Sequence, residues 1–280
     1  MITKKNNRFC SPSKRRKFSC FSKKSLIKLT KAYNKHNNEN LNLSLSTDLL
    51  WQNLNKHLKQ ICENDLCWLD QDFVKQNLNN NDFLDEFRPQ KPKEWYQNPN
   101  AWLSTLDIDN VMNQYQQKFK KFKYLGTVPM DFDKKSFTGS CVVSDICKFN
   151  LENEYKNGFN KFGVVFNLDK SHQSGSHWVC MFVDLKLEKI YYWDSYGMAP
   201  SKEVLDLGKK IEKQALKLNK KMKLYINNYR HQFGNSECGI YCLWFLIRLL
   251  ESKNSFKTYN QIIKKKSRIL LCRKIGTFYL

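Results

Sequence analysis

Apolar residues recur every three or four positions in three long segments of the chain, and this spacing predicts amphipathic helices. The first predicted helix covers residues 46–62 and turns inward Leu49, Leu50, Leu54, Leu58 and Ile61. The second covers residues 102–119 and turns inward Leu103, Ile108, Met112 and Tyr115. The third follows Ser201, a suitable N-cap, and turns inward Val204, Leu207, Ile211, Ala215 and Leu218.

Between these helices the pattern changes to runs of β-branched and aromatic residues, which are typical of strands. The runs cover residues 161–169, 177–186 and 188–196, and a later one lies within 223–232. The second and third runs are predicted to form a hairpin. The second is apolar almost throughout, so we expect it to be buried on both faces at the centre of a sheet. Residues 238–250 are apolar nearly all round and predict a buried helix.

The N-terminal third of the chain has a different pattern. Residues 1–40 combine basic residues with Ser and Asn and show helical spacing only around residues 26–33, which predicts a flexible basic arm with one or two helical turns. Residues 41–94 are predicted to form a small, mostly helical region. Three prolines within residues 89–99 exclude regular helix there. We therefore place a domain boundary before residue 95 and a larger domain at 95–280.

Composition and charge narrow the class of protein. Hydrophobic residues make up 41% of the 280 residues, too many for a disordered chain. The formal net charge is +22, and both ends are basic: residues 1–35 contain 12 Lys or Arg and no acidic residue, and no acidic residue follows Glu251. A field of this size attracts polyanions, so nucleic acid is a candidate partner for the basic termini.

The N-terminus and the cysteines of the chain favour a reducing intracellular compartment. The first residues lack the apolar run of a secretion signal, and no segment has the roughly 18 to 20 consecutive apolar residues that a membrane span needs. We therefore expect a soluble protein of a reducing intracellular compartment, without membrane insertion. Three cysteine pairs are spaced closely enough to suggest zinc, but none has the C-x2-C spacing of a structural site: Cys10 and Cys20, Cys62 and Cys67, Cys141 and Cys147. The sequence thus predicts neither metal nor cofactor, and places Cys180 and Cys242 in the core.

Four reactive side chains fall at the ends of predicted elements. His177 begins the central strand, and Asp194 ends the neighbouring strand seventeen residues later. Gln232 lies six residues before Cys238, which begins the buried helix. A single histidine on an apolar strand, or a single buried cysteine in a helix, is commonly structural. The combination in this order instead predicts nucleophilic catalysis by Cys238.

The chemistry of a cysteine nucleophile requires these residue types. The attacking species is a thiolate, which is favoured by a helix N-terminus and by an adjacent imidazolium. We expect His177 to transfer protons and Asp194 to orient its ring. The amide of Gln232 and the backbone N–H of Cys238 would donate hydrogen bonds to the oxyanion of the intermediate. Gly239 would leave room for the substrate carbonyl.

The motif around these residues resembles a known family. Gly175-Ser176-His177-Trp178, Asp194-Ser195 and Gln232 followed by Cys238-Gly239 resemble the ubiquitin-like-protein proteases of the Ulp1/SENP type and the processing proteases of adenoviruses and large DNA viruses. The resemblance covers residues 95–260 and includes Trp102-Leu103. It implies an α+β, papain-like fold with a central mixed sheet flanked by helices.

The resemblance also implies a type of substrate. Trp102 and Trp178 would enclose an extended Gly-Gly segment, because only glycine fits a passage too narrow for a Cβ atom. Members of the family often have Asn-Asp after the Trp-Leu pair, whereas this chain has Ser104-Thr105, which weakens the match to ubiquitin-like substrates. The N-terminal segment is similar to processing proteases of large cytoplasmic DNA viruses such as the asfarviruses.

Four functions remain open at this point. The first is a viral protease that cleaves structural precursors after Gly-Gly during virion maturation, in the host cytoplasm and the virion. The second is an isopeptidase that removes ubiquitin-like modifiers, and the third is a basic nucleic-acid-binding virion protein with an inactive protease fold. Acetyl transfer through an acyl-thioester is the fourth, although no phosphate-binding motif for an acetyl donor is evident.

Overall fold

The computed structural model describes residues 9–14, 18–135, 137 and 139–264, except for the side chains of Leu84 and Lys264. These residues divide into two compact units, one ending at Gln90 and the other starting at Lys91. The helices of the first unit are α1 (Lys23–Asn37), α2 (Thr47–Leu58) and α3 (Asp72–Asn77). Those of the second are α4 (Thr105–Lys118), α5 (Ser144–Cys147), α6 (Leu151–Lys156), α7 (Lys202–Leu216), α8 (Cys238–Glu251) and α9 (Ser255–Lys264). Short 3-10 turns lie at Asp65–Asp70, Asn80–Glu86 and Lys93–Tyr96.

The first unit is more ordered at its start than the sequence predicts. A flexible arm with one or two turns was expected before residue 40, but α1 is a 15-residue helix capped by Ser22. Leu26 and Leu29 of α1 are buried in one cluster with Leu50 and Leu54 of α2. The sequence pattern did not predict the full length of α1, because lysines on its outer face leave only a short apolar stripe. Such a stripe stabilises a helix only when a second element covers it.

Six cysteines of the described residues form disulfides, a pairing that the expected reducing compartment does not favour. The pairs join Cys10 to Cys20, Cys62 to Cys67, and Cys141 to Cys147. The chain brings the paired Cα atoms to 4.9, 5.5 and 6.2 Å from each other, within the range that a disulfide spans. In each of the three pairs considered for zinc, the two cysteines are therefore bonded to each other. Within the described residues, no group of three or more His, Cys, Asp or Glu side chains could hold a metal ion.

The second unit contains a five-stranded mixed sheet. Its strands are β1 (Phe122–Pro129), β2 (Lys161–Asn167), β3 (Trp178–Asp184), β4 (Lys189–Trp193) and β5 (Lys223–Ile226), in the order β1-β2-β3-β4-β5. β3 pairs antiparallel with both β2 and β4, whereas β1 and β5 pair parallel with their neighbours. The predicted hairpin of β3 and β4 is confirmed. β1 was not predicted, because Lys123 and Gly126 interrupt its apolar pattern.

Helices cover both faces of this sheet. Met181 and Val183 of β3 pack with Val204 and Leu207 of α7 on one face, while α8 packs against β3 on the other. All seven residues of β3 are buried, as the sequence predicts for a central strand. The sheet thereby places the N-terminus of α8 beside the start of β3 and the end of β4.

Two predictions about surfaces and membranes have different outcomes. In the part of the chain that the structure describes, no helix is long and apolar enough to cross a bilayer. The basic termini that are predicted to bind nucleic acid lie partly outside the described residues, at 1–8, 15–17 and 265–280.

Candidate active site

His177 and Asp194 stand at adjacent strand ends, immediately before β3 and immediately after β4. The turn that leads into His177 depends on Gly175, whose φ of +96° disfavours any side chain. A Cβ atom at Gly175 would also lie 2.5 Å from Nδ2 of Asn167. The hydroxyl of Ser176 donates to Asp169 at 2.6 Å, so the segment that presents His177 is held on both sides.

The four predicted catalytic residues come together at the start of α8. Nε2 of His177 lies 2.7 Å from Oδ1 of Asp194, which leaves Nδ1 for an interaction with the neighbouring Cys238. Cys238 is the first residue of α8, so no carbonyl of the preceding helical turn can accept its backbone N–H. Both His177 and Cys238 are buried, at 8% and 1% exposure.

The electrostatic surroundings favour a charged imidazole. Burial by itself would lower the pKa of His177, but the hydrogen bonds to Asp194 and Cys238 and their negative charges raise it to about 9. The ring therefore keeps its proton at neutral pH when Cys238 is a thiolate. This is the ion pair that thiol attack requires.

Gln232 lies in an irregular segment, residues 227–237, which we call the Gln232 loop. Hydrogen bonds tie this loop to the segment after β4: the N–H groups of His231 and Gln232 both donate to the carbonyl of Ser195, at 2.8 and 2.9 Å. The side chain of Asn227 donates to the carbonyl of Asp194 at 2.7 Å. The position of Gln232 is thus coupled to that of Asp194 through the backbone.

The amide of Gln232 is also oriented. Its Oε1 accepts a 2.6 Å hydrogen bond from the buried hydroxyl of Ser195, so the amide nitrogen must point the other way. That nitrogen donates to the carbonyl of Gly234 at 3.0 Å and to the hydroxyl of Tyr196 at 3.3 Å. The contact with Tyr196 is the longer and weaker of the two, so an oxyanion would replace it at the smaller cost.

Three residues that sequence reasoning did not single out contribute to the site. Ser195 was noted only as the partner of Asp194 in a motif, yet it orients Gln232. Tyr196 stacks on the ring of His177, with centroids 4.8 Å apart. Arg230 lies over the ring of Tyr196, 5.1 Å from its centroid. The aromatic residue directly after Asp194-Ser195 was the available signal for Tyr196, while nothing in the sequence pointed to Arg230.

The predicted substrate-binding tryptophans line one cleft of about 510 Å³. Trp102 is 39% exposed and Trp178 is 5% exposed, and Nε1 of Trp178 donates to the carbonyl of Leu103 at 3.0 Å. Gly239 has a role in this packing, because a Cβ atom there would lie 3.2 Å from Leu103 and 3.3 Å from Trp178. The glycine lets α8 approach the cleft wall closely, a reason that differs from the expected space for a substrate carbonyl.

The sequence and the fold match known proteins. Residues 164–275 match the model of the Ulp1 protease family, C-terminal catalytic domain. The putative thiol protease R355 of Acanthamoeba polyphaga mimivirus is 30% identical over 258 residues, 84% of this chain and 81% of that protein. The SUMO-1 cysteine protease S273R of African swine fever virus is 30% identical over 164 residues, 55% of this chain and 60% of that protein. The crystal structure of the African swine fever virus pS273R protease has the same fold, with a TM-score of 0.63 and 23% identity over 93% of this chain and 90% of that one.

Proposed function

Because this chain belongs to the Ulp1 family of cysteine proteases, we propose that Cys238 is its nucleophile, served by His177 and Asp194. The single observation that carries this proposal is that His177, hydrogen-bonded to Asp194, interacts with Cys238 at the N-terminus of α8. All three residues are needed for catalysis. Cys238 needs His177 as its proton acceptor, and His177 needs Asp194 to fix the orientation of its ring.

The proposed reaction has two steps. The Cys238 thiolate attacks the carbonyl carbon of the scissile bond, and the C–N bond breaks as His177 gives its proton to the leaving amine. Neutral His177 then takes a proton from water, whose oxygen attacks the acyl-thioester. The C–S bond then breaks and returns its electron pair to Cys238. The carboxylic acid product leaves, and the Cys238 thiolate again faces protonated His177. Asp194 keeps its charge throughout and holds the Nε2 proton.

Gln232 and the N–H of Cys238 are proposed to stabilise the oxyanion that forms in each step. A single donor of this kind typically lowers the barrier by about 3 kcal/mol. Ser195 holds the oxygen of the amide, so the nitrogen is the part that would donate to the oxyanion. Preorganisation matters because a donor that must rotate during the reaction loses much of its effect.

The test compares wild type with Cys238→Ala. Each is mixed with candidate precursor proteins, and the products are identified by mass spectrometry. Cys242→Ala is the matched control, because it removes another buried thiol of α8. We expect cleavage by wild type and the control and none by Cys238→Ala; full activity of Cys238→Ala would sink the proposal.

For the substrate, we propose an extended segment that is cut after Gly-Gly in viral structural precursors during virion maturation, in the host cytoplasm and virion. Two observations support this: Trp102 and Trp178 line one cleft, and both curated relatives come from large DNA viruses. Trp102→Ala is expected to raise KM about tenfold for such a peptide, and replacing either glycine by alanine should have a similar effect. Equal cleavage of Gly-Gly and Ala-Ala peptides would contradict the proposed specificity.

A second candidate is an isopeptidase for ubiquitin-like modifiers. It is favoured by the name of the African swine fever virus relative, a SUMO-1 cysteine protease. A ubiquitin-like protein with a thiol-reactive C-terminus separates the two candidates. Covalent capture at Cys238 favours the isopeptidase, whereas failure of capture with cleavage of a Gly-Gly-X peptide favours precursor processing.

We further propose that the basic termini bind nucleic acid. The net charge of +22 and the absence of acidic residues from residues 1–35 support this. A titration with salt tests it, since the logarithm of the affinity should fall linearly with the logarithm of salt concentration. A flat plot would remove nucleic acid from the list of partners.

A further inference from the structure

Arg230 is a charged residue beside the candidate active site that has no role in the proposed reaction. Arg230 is exposed, and its guanidinium carbon lies 5.1 Å from the ring centroid of Tyr196 and 5.4 Å from that of Phe233. Nε of Arg230 donates to the carbonyl of Gln232 at 2.8 Å. The guanidinium is thus fixed between two aromatic rings and attached to the backbone of the Gln232 loop.

Part of this guanidinium remains available to a ligand. Nε is occupied by the carbonyl of Gln232, but in the described residues no carboxylate forms an ion pair with Arg230. The two terminal nitrogens therefore keep their hydrogen-bond donors. Two parallel N–H groups of arginine match the two oxygens of a carboxylate, a geometry that lysine cannot provide.

The position of Arg230 indicates which part of a substrate it meets. The cleft that contains Trp102 and Trp178 includes no residue of 194–197 or 227–237 among its walls. Tyr196, which covers His177, and Gln232, which belongs to the oxyanion site, both contact Arg230. We take the acyl half of a substrate to occupy the tryptophan cleft. The residues after the scissile bond would then lie on the far side of Cys238 and His177, where Tyr196 stacks on the ring of His177.

We propose that Arg230, held between Tyr196 and Phe233, binds an acidic side chain at the first or second residue after the scissile bond. This inference rests on the proposed function, because it assumes that the tryptophan cleft takes the residues before that bond. The exposed ring of Phe233 adds an apolar surface for the same segment. Arg230 would select substrates by charge on the leaving-group side, independently of the Gly-Gly preference.

The experiment uses one pair of matched peptides, one peptide library and three variants of the 280-residue chain. Matched Gly-Gly-Asp and Gly-Gly-Asn peptides measure the preference directly, and a proteome-derived peptide library identifies preferred residues around any cleaved bond. Arg230→Gln removes the charge, Arg230→Glu reverses it, and Arg248→Gln is the control. Arg248 is an exposed arginine of α8, so its loss changes the net charge equally. Thermal unfolding checks that each variant is folded.

Wild type and the Arg248→Gln control are expected to prefer the Asp peptide by about fivefold in kcat/KM. Arg230→Gln should abolish this preference, and Arg230→Glu should favour a lysine in the same place. If Arg230→Gln slows both peptides equally, Arg230 only positions the Gln232 loop and the inference is overturned. An unchanged preference in Arg230→Gln overturns it as well.

The two proposals fail in different ways. Cleavage in the proteome library at sites without Gly-Gly would refute the substrate assignment, while enrichment of acidic residues after those sites would still support Arg230. Cleavage after Gly-Gly without any acidic enrichment leaves the proposed function intact and refutes the role of Arg230. If the wild-type enzyme cuts neither the matched peptides nor any peptide of the library, both the proposed function and the role of Arg230 are overturned.

Discussion

The two sides of the candidate site are built in different ways. His177 and Asp194 stand at the ends of neighbouring strands, where the sheet register places them. Gln232 stands on an irregular loop, and side-chain and backbone hydrogen bonds from Ser195, Asn227 and Tyr196 hold it there. The sheet thus sets the geometry of His177 and Asp194, which we call the triad side. Individual contacts set the geometry of Gln232, which we call the oxyanion side.

This difference has a consequence for sensitivity to mutation. A strand end is fixed by many backbone hydrogen bonds, so a single neighbouring substitution moves it little. A loop held by a few side-chain contacts loses its geometry when one of them is removed. We therefore expect positioning residues to matter most around Gln232.

The largest effect is expected for His177→Ala. The variant lacks the proton carrier, so kcat should fall by at least about 10⁴-fold. Stopped assays with a Gly-Gly peptide and active-site titration with a thiol reagent measure the loss. His36→Ala is the control for histidine removal, because His36 is an exposed residue of α1. A His177→Ala enzyme with substantial activity would show that the triad side does not carry the chemistry.

A smaller loss, about 10³-fold in kcat, is expected for Asp194→Asn. Burial lowers the pKa of His177, but the contacts with Asp194 and Cys238 outweigh it and raise the pKa to about 9. A raised pKa means that the ring stays protonated until the pH passes 9, so wild-type activity should decline above about pH 9. Without the charge of Asp194 the pKa falls, and the alkaline limb of the pH–rate profile should move to lower pH. An unshifted limb would show that Asp194 does not act through His177.

Thermal unfolding accompanies that measurement. Oδ2 of Asp194 is buried and has no hydrogen-bond partner in the described residues, so the amide group of asparagine would place an unsatisfied donor there. A destabilisation of about 1–3 kcal/mol is expected from this cause alone.

On the oxyanion side, Gln232→Ala is expected to lower kcat about 10²-fold with little change in KM. The amide donor acts on the transition state and makes no contact that the ground state needs. Gln232→Glu is the matched variant, since it keeps the shape but replaces the amide nitrogen with a carboxyl oxygen. Retention of activity by Gln232→Glu would contradict a donor role.

The smallest effect, about tenfold in kcat, is expected for Ser195→Ala. Without the 2.6 Å hydrogen bond, the Gln232 amide can rotate and present its oxygen to the reacting centre. Ser201→Ala is the matched control, because Ser201 caps α7 and its loss should lower the unfolding temperature without changing kcat. If both variants lose stability and neither loses kcat, the loop does not need Ser195 for its orientation.

Sequence patterns predict the elements that carry the triad but not all of the contacts between them. The apolar runs that form β3 and α8 begin at His177 and Cys238, so the apolar pattern alone places these residues at the starts of elements. β1 escaped prediction because Lys123 and Gly126 interrupt its apolar pattern, and the pairing with β2 that stabilises it joins residues about forty positions apart in the chain. The disulfides escaped for a different reason: spacing picked out the same three cysteine pairs, but the expected reducing compartment argued against bonds between them.

The sequence by itself determined the nucleophile, its two triad partners and the oxyanion donor as candidates, because residue chemistry and the order of elements are local properties. Tertiary structure alone decided that Ser195 orients Gln232, that Tyr196 covers His177, and that Arg230 lies between two rings. The contacts of Ser195 with Gln232 and of Tyr196 with Arg230 join the segment after β4 to the Gln232 loop, and α7 and β5 separate these two segments in the chain. No local pattern encodes a hydrogen bond between segments that only the folded sheet brings together.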